Sequence, residues 1–208
     1  AREGLELRKS GLAGEILVMG LTEAPLLPAA IQAELTLTVG DLAGLSAAEA
    51  AAAALEKPVT VHRAVDTGFH RLGFDVTEEA AGQVASAMKR LRWVKAVGLY
   101  SHLGLITPER DQMQYDNLMR MQSMLAARGV TFTDLHLCDS IGLVRYPQWH
   151  MSRVRVGALL FGVRPYHSES MPFEDRETLT FHTTVSQVRD VAAGEVVGYS
   201  DDQILDHD

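Results

Sequence analysis

Short apolar runs separated by amphipathic stretches recur along the chain. Ile16-Leu17-Val18-Met19-Gly20 is wholly apolar, as expected of a strand buried on both faces. Residues 22–34 carry Pro25 and Pro28 and then turn helical, and Leu35-Thr36-Leu37-Thr38-Val39-Gly40 reads as a second strand. Asp41 suits the N-cap of an Ala-rich helix that reaches about Lys57, and residues 59–65 form the third strand. Thr77, with Glu78 and Glu79 after it and Lys89 and Arg90 near the other end, predicts a helix over 77–91. Residues 97–102 are a fourth strand. Thr107-Pro108 opens a long helix that Gly129 closes, with Met113, Met119, Met121 and Met124 as gap-filling packing. Residues 134–140 and 153–162 read as fifth and sixth strands. Strands that alternate with helices imply a parallel sheet with right-handed crossovers, either doubly wound or a (β/α)8 TIM-type barrel short of two strands.

After Pro165 the pattern changes. Residues 179–189 are β-branched and alternating, Ala192-Ala193-Gly194 makes a turn, and residues 195–200 return as an antiparallel partner. The chain is therefore expected to hold an α/β unit over 1–165, a partial barrel if that alternative holds, and the start of an all-β domain over 166–208. Its ends fit a fragment, since residues 1–11 read as a helix entered partway and the acidic residues after Ser200 have nothing to pack against.

Composition narrows the classes. At 208 residues, 47 % apolar and 22 % charged, the chain is an ordinary soluble globular protein. A formal charge of −8 with no Lys/Arg run argues against a nucleic-acid surface. Cys138 is the only cysteine, which precludes an internal disulfide and suits the cytoplasm. Residues 1–10 carry no secretory signal, and the run 47–55 is interrupted by Glu49 and too short to cross a membrane.

In parallel α/β folds the reactive groups gather at the C-terminal ends of strands. Those ends are Met19-Gly20, residues 66–71, Ser101-His102, Asp139-Ser140 and Gly157-Ala158. In Asp66-Thr67-Gly68-Phe69-His70-Arg71-Leu72-Gly73-Phe74 two glycines allow sharp turns that aim Arg71 at a carboxylate or phosphate, although a surface turn is the plainer alternative. Ser140 suits the N-cap of a short helix, and with Gly157 in the next strand it resembles a phosphate cradle. His102 and His136 suit either core positions or a site, whereas Arg155 inside an apolar strand needs a partner. No His or Asp pair has the spacing of a helical metal site, and no nucleophile elbow supports a Ser-His-Asp triad.

Taken together, residues 61–74, Gly98-Leu99-Tyr100-Ser101-His102, the stretch from His136 to Pro147, Val154-Arg155-Val156-Gly157, and Gly194-Glu195-Val196-Val197-Gly198-Tyr199 resemble the alanine racemase family in that order. The resemblance implies a TIM-type barrel followed by a β domain, a cytoplasmic homodimer, and pyridoxal 5'-phosphate used to interconvert L- and D-alanine, the latter for peptidoglycan. It implies that Arg155 meets the pyridine nitrogen, flanked by His102 and His136. Ser140, Gly157 and Ala158 hold the phosphate, Met19 touches the ring, and Arg71 lies near the phenolic oxygen and the substrate carboxylate. The alternatives are a serine racemase or another barrel enzyme of the same cofactor class, and a non-catalytic fragment.

Three departures qualify the resemblance. The family's cofactor lysine would precede Ala1, and its tyrosine base would follow Asp208, since Tyr199 does not match it. With neither base, this span by itself is not expected to racemise. Ala64 stands where many members carry a carbamylated lysine that orients the arginine, and Asp139 replaces a common asparagine. Asp139 is expected to point away from the phosphate or to bond the backbone.

Overall fold

The computed structural model describes residues 1–163, 173, 174, 176 and 178–196. The chain divides into two compact units, Ala1–Arg176 and Glu177–Asp208. Unit 1 is a parallel sheet of six strands: β1 (Leu17–Leu21), β2 (Thr36–Val39), β3 (Val59–Asp66), β4 (Phe74–Asp75), β5 (Val94–Tyr100) and β6 (Asp134–His136). The order is β1-β2-β3-β5-β6, with β4 paired to β3 off this path. The helices are α1 (Arg2–Lys9), α2 (Leu27–Gln32), α3 (Leu42–Ala54), α4 (Glu78–Met88), α5 (Pro108–Ala126) and α6 (Ser140–Arg145).

Strand alternation sorts the residues by face. On one face, Leu37, Val39, Val59 and Val61 pack against Leu27, Ile31, Leu45, Ala48 and Ala52 of α2 and α3, and the small alanines let α3 lie close. Farther along, Val65, Leu99 and Leu137 pack against Val84, Ala85, Leu118, Met121 and Leu125 of α4 and α5. The opposite face presents Thr38, His62, Tyr100 and His136, all buried. The core on the helix side therefore leaves a polar interior beneath the strand ends.

Local chemistry sets the helix starts as expected. Asp41 accepts from Gly44 N–H, Thr77 from Ala80 N–H and Thr107 from Arg110 N–H. Of the methionines in α5, Met121 is buried and Met124 packs on the same core, whereas Met113 is exposed.

Four expectations need correction. First, β1 is not buried on both faces. It is an edge strand of the described sheet, and Met19, Gly20 and Leu21 are exposed. Second, the ladder of β6 stops at His136, and residues 137–139 leave it to enter α6. Third, residues 153–162 form no strand. Ser152 N–H and Arg155 N–H reach Leu135 and Cys138 carbonyls, but Gly157 turns the chain out of register and Ala158–Phe161 is a 3-10 helix ended by Gly162 at φ 70°. Fourth, in unit 2 residues 179–189 carry no strand. Phe181, Val185 and Val188 are exposed, so the alternating pattern buries nothing among the described residues. The turn at 192–195 closes through Glu195 N–H to Ala192 carbonyl, and most of its expected partner, residues 197–200, lies outside the described residues.

Candidate active site

The C-terminal ends of β3 and β5 and the loop after β3 enclose a cavity of about 60 Å3. It is lined by Met19, Ala64, Val65, Phe69, Arg71, Leu72, Tyr100, Ser101, His102 and Arg155. Four of the positions expected from strand ends thus meet in one place, Met19, Arg71, Ser101 and His102, and Arg155 joins them. None of the lining residues is a lysine.

Arg155 is the most constrained of them. Its Nη1 lies 2.7 Å from His136 Nδ1, and its Nη2 donates to the Ser101 carbonyl at 2.7 Å and the Leu137 carbonyl at 2.9 Å. Nη2 also lies 3.3 Å from His102 Nδ1, and the guanidinium carbon sits 5.3 Å from the Tyr100 ring centroid. Burial lowers the Arg155 pKa, yet an arginine remains charged at physiological pH. Burial, and next the Arg155 charge, push His136 down to about 2, so it is neutral. The same two causes lower His102. A fixed cation flanked by two neutral imidazoles faces the cavity.

The loop after β3 is built around Asp66. Its Oδ1 accepts from Gly68, Phe69 and His70 N–H at 3.0, 3.1 and 3.0 Å. Burial opposes the Asp66 charge, but the His70 and Gly68 N–H groups outweigh it and leave the pKa lowered. Gly73, at φ 126°, has no room for a Cβ because the backbone of Val65 and Asp66 lies against it. The turn brings Arg71 over the Phe69 ring at 4.5 Å, and that ring stands edge-on to His102 at 4.9 Å. Phe69 therefore holds Arg71 where Ala64 has no charge to offer.

The other end of the site differs from expectation. Asp139, not Ser140, caps α6, accepting from Ile141 and Gly142 N–H at 3.1 and 2.9 Å. Asp139 bonds the backbone, as expected. Ser140 is the first helical residue, and its Oγ accepts from Gly157 N–H at 2.9 Å. The hydroxyl keeps its own proton for another acceptor. Ser140, Gly157 and Ala158 do adjoin, since Leu159 N–H also approaches Ser140 Oγ at 3.5 Å. A cradle made of free α6 amides does not exist, because Asp139 uses them.

Sequence reasoning gave no site role to His62 or Tyr100, and named Ser101 only as a strand end. His62 Nδ1 lies 2.8 Å from His136 Nε2, and the Tyr100 ring stacks on His136 at 4.7 Å. Ser101 Oγ donates to the Val65 carbonyl at 2.7 Å and meets Thr67 Oγ1 at 2.7 Å, tying the two loops together. The available signal was period two: His62, Tyr100 and His136 share one face, and only their strand alternation places them there. Among the described residues no group of His, Cys, Asp or Glu could hold a metal.

A half-buried arginine bracketed by histidines thus stands at the mouth of a parallel β/α sheet. Residues 1–165 match the alanine racemase N-terminal domain. This chain belongs to the alanine racemase family. It is 31 % identical over 200 residues to alanine racemase 1 of Caldanaerobacter subterraneus subsp. tengcongensis, covering 95 % of this chain and 51 % of that protein. The solved alanine racemase of Clostridium difficile 630 in complex with cycloserine superposes with a TM-score of 0.77 at 27 % identity, over 80 % of this chain and 46 % of that one. Alanine racemase from Bacillus anthracis, at 21 % identity and a TM-score of 0.83, shares the fold over 100 % of this chain and 54 % of its own. The chain spans about half the length of the curated relatives it matches. The sheet of unit 1 is accordingly part of a TIM-type (β/α) barrel, an α/β fold.

Proposed function

We propose that the complete gene product containing this chain is an amino-acid racemase that uses pyridoxal 5'-phosphate to interconvert L- and D-alanine. The observation that carries the proposal is Arg155, a half-buried cation opening on the cavity with its Nη atoms committed to His136, His102 and two carbonyls. Its Nε takes part in none of these bonds. The residues of the cavity fit the cofactor ring, since Arg155 would meet the ring nitrogen and Met19 and Tyr100 flank the space. Ser140, Gly157 and Ala158 lie outside that lining, with Gly157 N–H bonded to Ser140 Oγ, and would hold the phosphate through the remaining Ser140 hydroxyl proton and the neighbouring backbone. When bound, the cofactor supplies an electron sink that acidifies the α-hydrogen of an amino acid.

What this chain contributes is binding and orientation. A permanently protonated guanidinium cannot accept a proton, so Arg155 keeps a facing ring nitrogen unprotonated, which moderates the sink and restrains side reactions. Arg71, held on Phe69, would receive the substrate carboxylate or the phenolic oxygen. Two-base racemisation needs a proton acceptor on each face of the α-carbon, and no lysine lines the cavity. On the family resemblance those acceptors are a lysine and a tyrosine, and neither is assigned to a residue of this chain. We extend the proposal to a cytoplasmic homodimer on the family resemblance alone.

The test uses the complete gene product. It is expected to take up pyridoxal 5'-phosphate with an absorbance band at the visible edge, and to abolish the optical rotation of L-alanine faster than that of L-serine. Failure to bind the cofactor would sink the proposal.

A further inference from the structure

We propose that His62 is a positioning residue for Arg155, acting in a relay through His136, with its far nitrogen turned toward the carboxylates of Asp134 and Glu15. The inference rests on Arg155 being the cofactor arginine, as proposed above. His62 itself does not line the cavity.

One chemical fact fixes every proton along the chain. A guanidinium donates and never accepts, so His136 Nδ1, 2.7 Å from Arg155 Nη1, must present a lone pair. A neutral His136 then carries its hydrogen on Nε2, which lies 2.8 Å from His62 Nδ1 and donates to it. His62 Nδ1 is thereby an acceptor, and the His62 hydrogen sits on Nε2. That atom is buried and has no hydrogen-bond partner among the described residues. It lies 3.8 Å from Asp134 Oδ2 and 3.9 Å from Glu15 Oε1. Arg153 holds both carboxylates, with Nη2 2.5 Å from Asp134 and Nη1 3.4 Å from Glu15. The N–H dipoles thus point one way, from Arg155 through both imidazoles toward the Asp134–Arg153–Glu15 ion-pair cluster at the other end of the strands.

The packing is made for this arrangement. His62 faces Gly98 across the β3–β5 pair, beside a register shift at Val61/His62. A Cβ on Gly98 would overlap the His62 ring. The glycine gives the imidazole its place, and Tyr100 stacked on His136 fixes the second ring. If His62 could not accept, the His136 N–H would be stranded in the interior. The alternative tautomer would turn an N–H against Arg155. Either outcome costs the arginine its direction.

Nitrogen-15 spectra of histidine-labelled complete protein, which need no cofactor, should show His62 and His136 both neutral with the hydrogen on Nε2 at neutral pH. A hydrogen on Nδ1 of either ring, or a doubly protonated ring, overturns the relay. Cofactor retention is the second readout. His62→Leu and Gly98→Ala should weaken pyridoxal 5'-phosphate binding by roughly tenfold and shift its absorbance maximum. His62→Asn should restore most of the binding, because its amide oxygen falls near the place of Nδ1. Equal retention in all variants while the unaltered protein binds would refute the relay alone. An unaltered protein that takes up no cofactor would refute the reading of the site. Should the variants fail to fold, the tautomers of the unaltered protein decide.

Discussion

Arg63 neighbours His62 on β3 and turns to the opposite face of the strand, where it is 1 % exposed. None of its three side-chain nitrogens has a hydrogen-bond partner among the described residues, and the Phe74 ring centroid lies 5.5 Å from its guanidinium carbon. Burial pulls its pKa down to about 10. A buried cation without a counter-charge is destabilising, and apolar replacements of similar volume relieve it. Arg63→Met is expected to raise the denaturant midpoint, by about 1–3 kcal/mol of stability. A lower midpoint would show that an anion or ordered water pairs with the guanidinium. Residue-scale reasoning from sequence expected a partner for Arg155 because a charge in an apolar run announces a cost, and His136 and two carbonyls supply it even though no strand forms there. It passed over His62 and Arg63 because both faces of β3 are buried, and residue type alone does not say which partner each face meets.

At the scale of elements, α5 does more than cover the sheet. Asp111, Gln114 and Asn117, spaced by three, hold the backbones of both loops at the cavity. Gln114 accepts from Gly104 N–H at 2.7 Å and donates to the His102 carbonyl at 3.0 Å. Asp111 accepts from Leu105 N–H at 2.9 Å and from the Tyr146 hydroxyl at 2.6 Å, and Asn117 donates to the Thr67 carbonyl at 3.0 Å. Gln114→Met removes both Gln114 bonds at nearly constant volume and is expected to cost about 1–3 kcal/mol. Amide hydrogen exchange should quicken at residues 102–106 and not in α4; unchanged exchange there would contradict the clamp. The helices were legible because caps are local, as Asp41, Thr77 and Thr107 show. Residues 153–162 misled because their alternation is that of a strand, while Arg155 spends its side chain on carbonyls and Gly157 breaks the register. Ser140 misled because two adjacent capping residues compete, and Asp139 reaches the amides first.

For the molecule as a whole, alternation of strand and helix was enough to predict a parallel α/β sheet, but not its strand order or the pairing of β4 to β3 off the main path. The polar interior was not legible, because it depends on which strand faces turn inward. That interior governs the response to acid. Burial lowers the pKa of His62, His102 and His136, the last to about 2. In the unfolded chain each histidine takes a proton near pH 6.5, whereas the native protein refuses it. The unfolded state therefore binds more protons below about pH 6.5, so stability is full above that pH and falls as pH drops toward the native values. For His136 the slope approaches about 1.4 kcal/mol per pH unit. Urea midpoints should decline between about pH 7 and 5, before most carboxylates titrate, and a flat profile there would contradict neutral buried histidines.

The relay also orders events in time. His62 and His136 are 74 positions apart, and Arg155 follows His136 by 19. Helices α3, α4 and α5 need only their own residues to begin forming, within microseconds. The three-residue chain exists only once β3, β5 and β6 have docked, and non-local parallel pairing is the slow part of such topologies. A nascent chain can thus be largely helical and still lack the network that aims Arg155. Helix content alone is then a poor gauge of assembly, because the contacts that join His62, His136 and Arg155 close last.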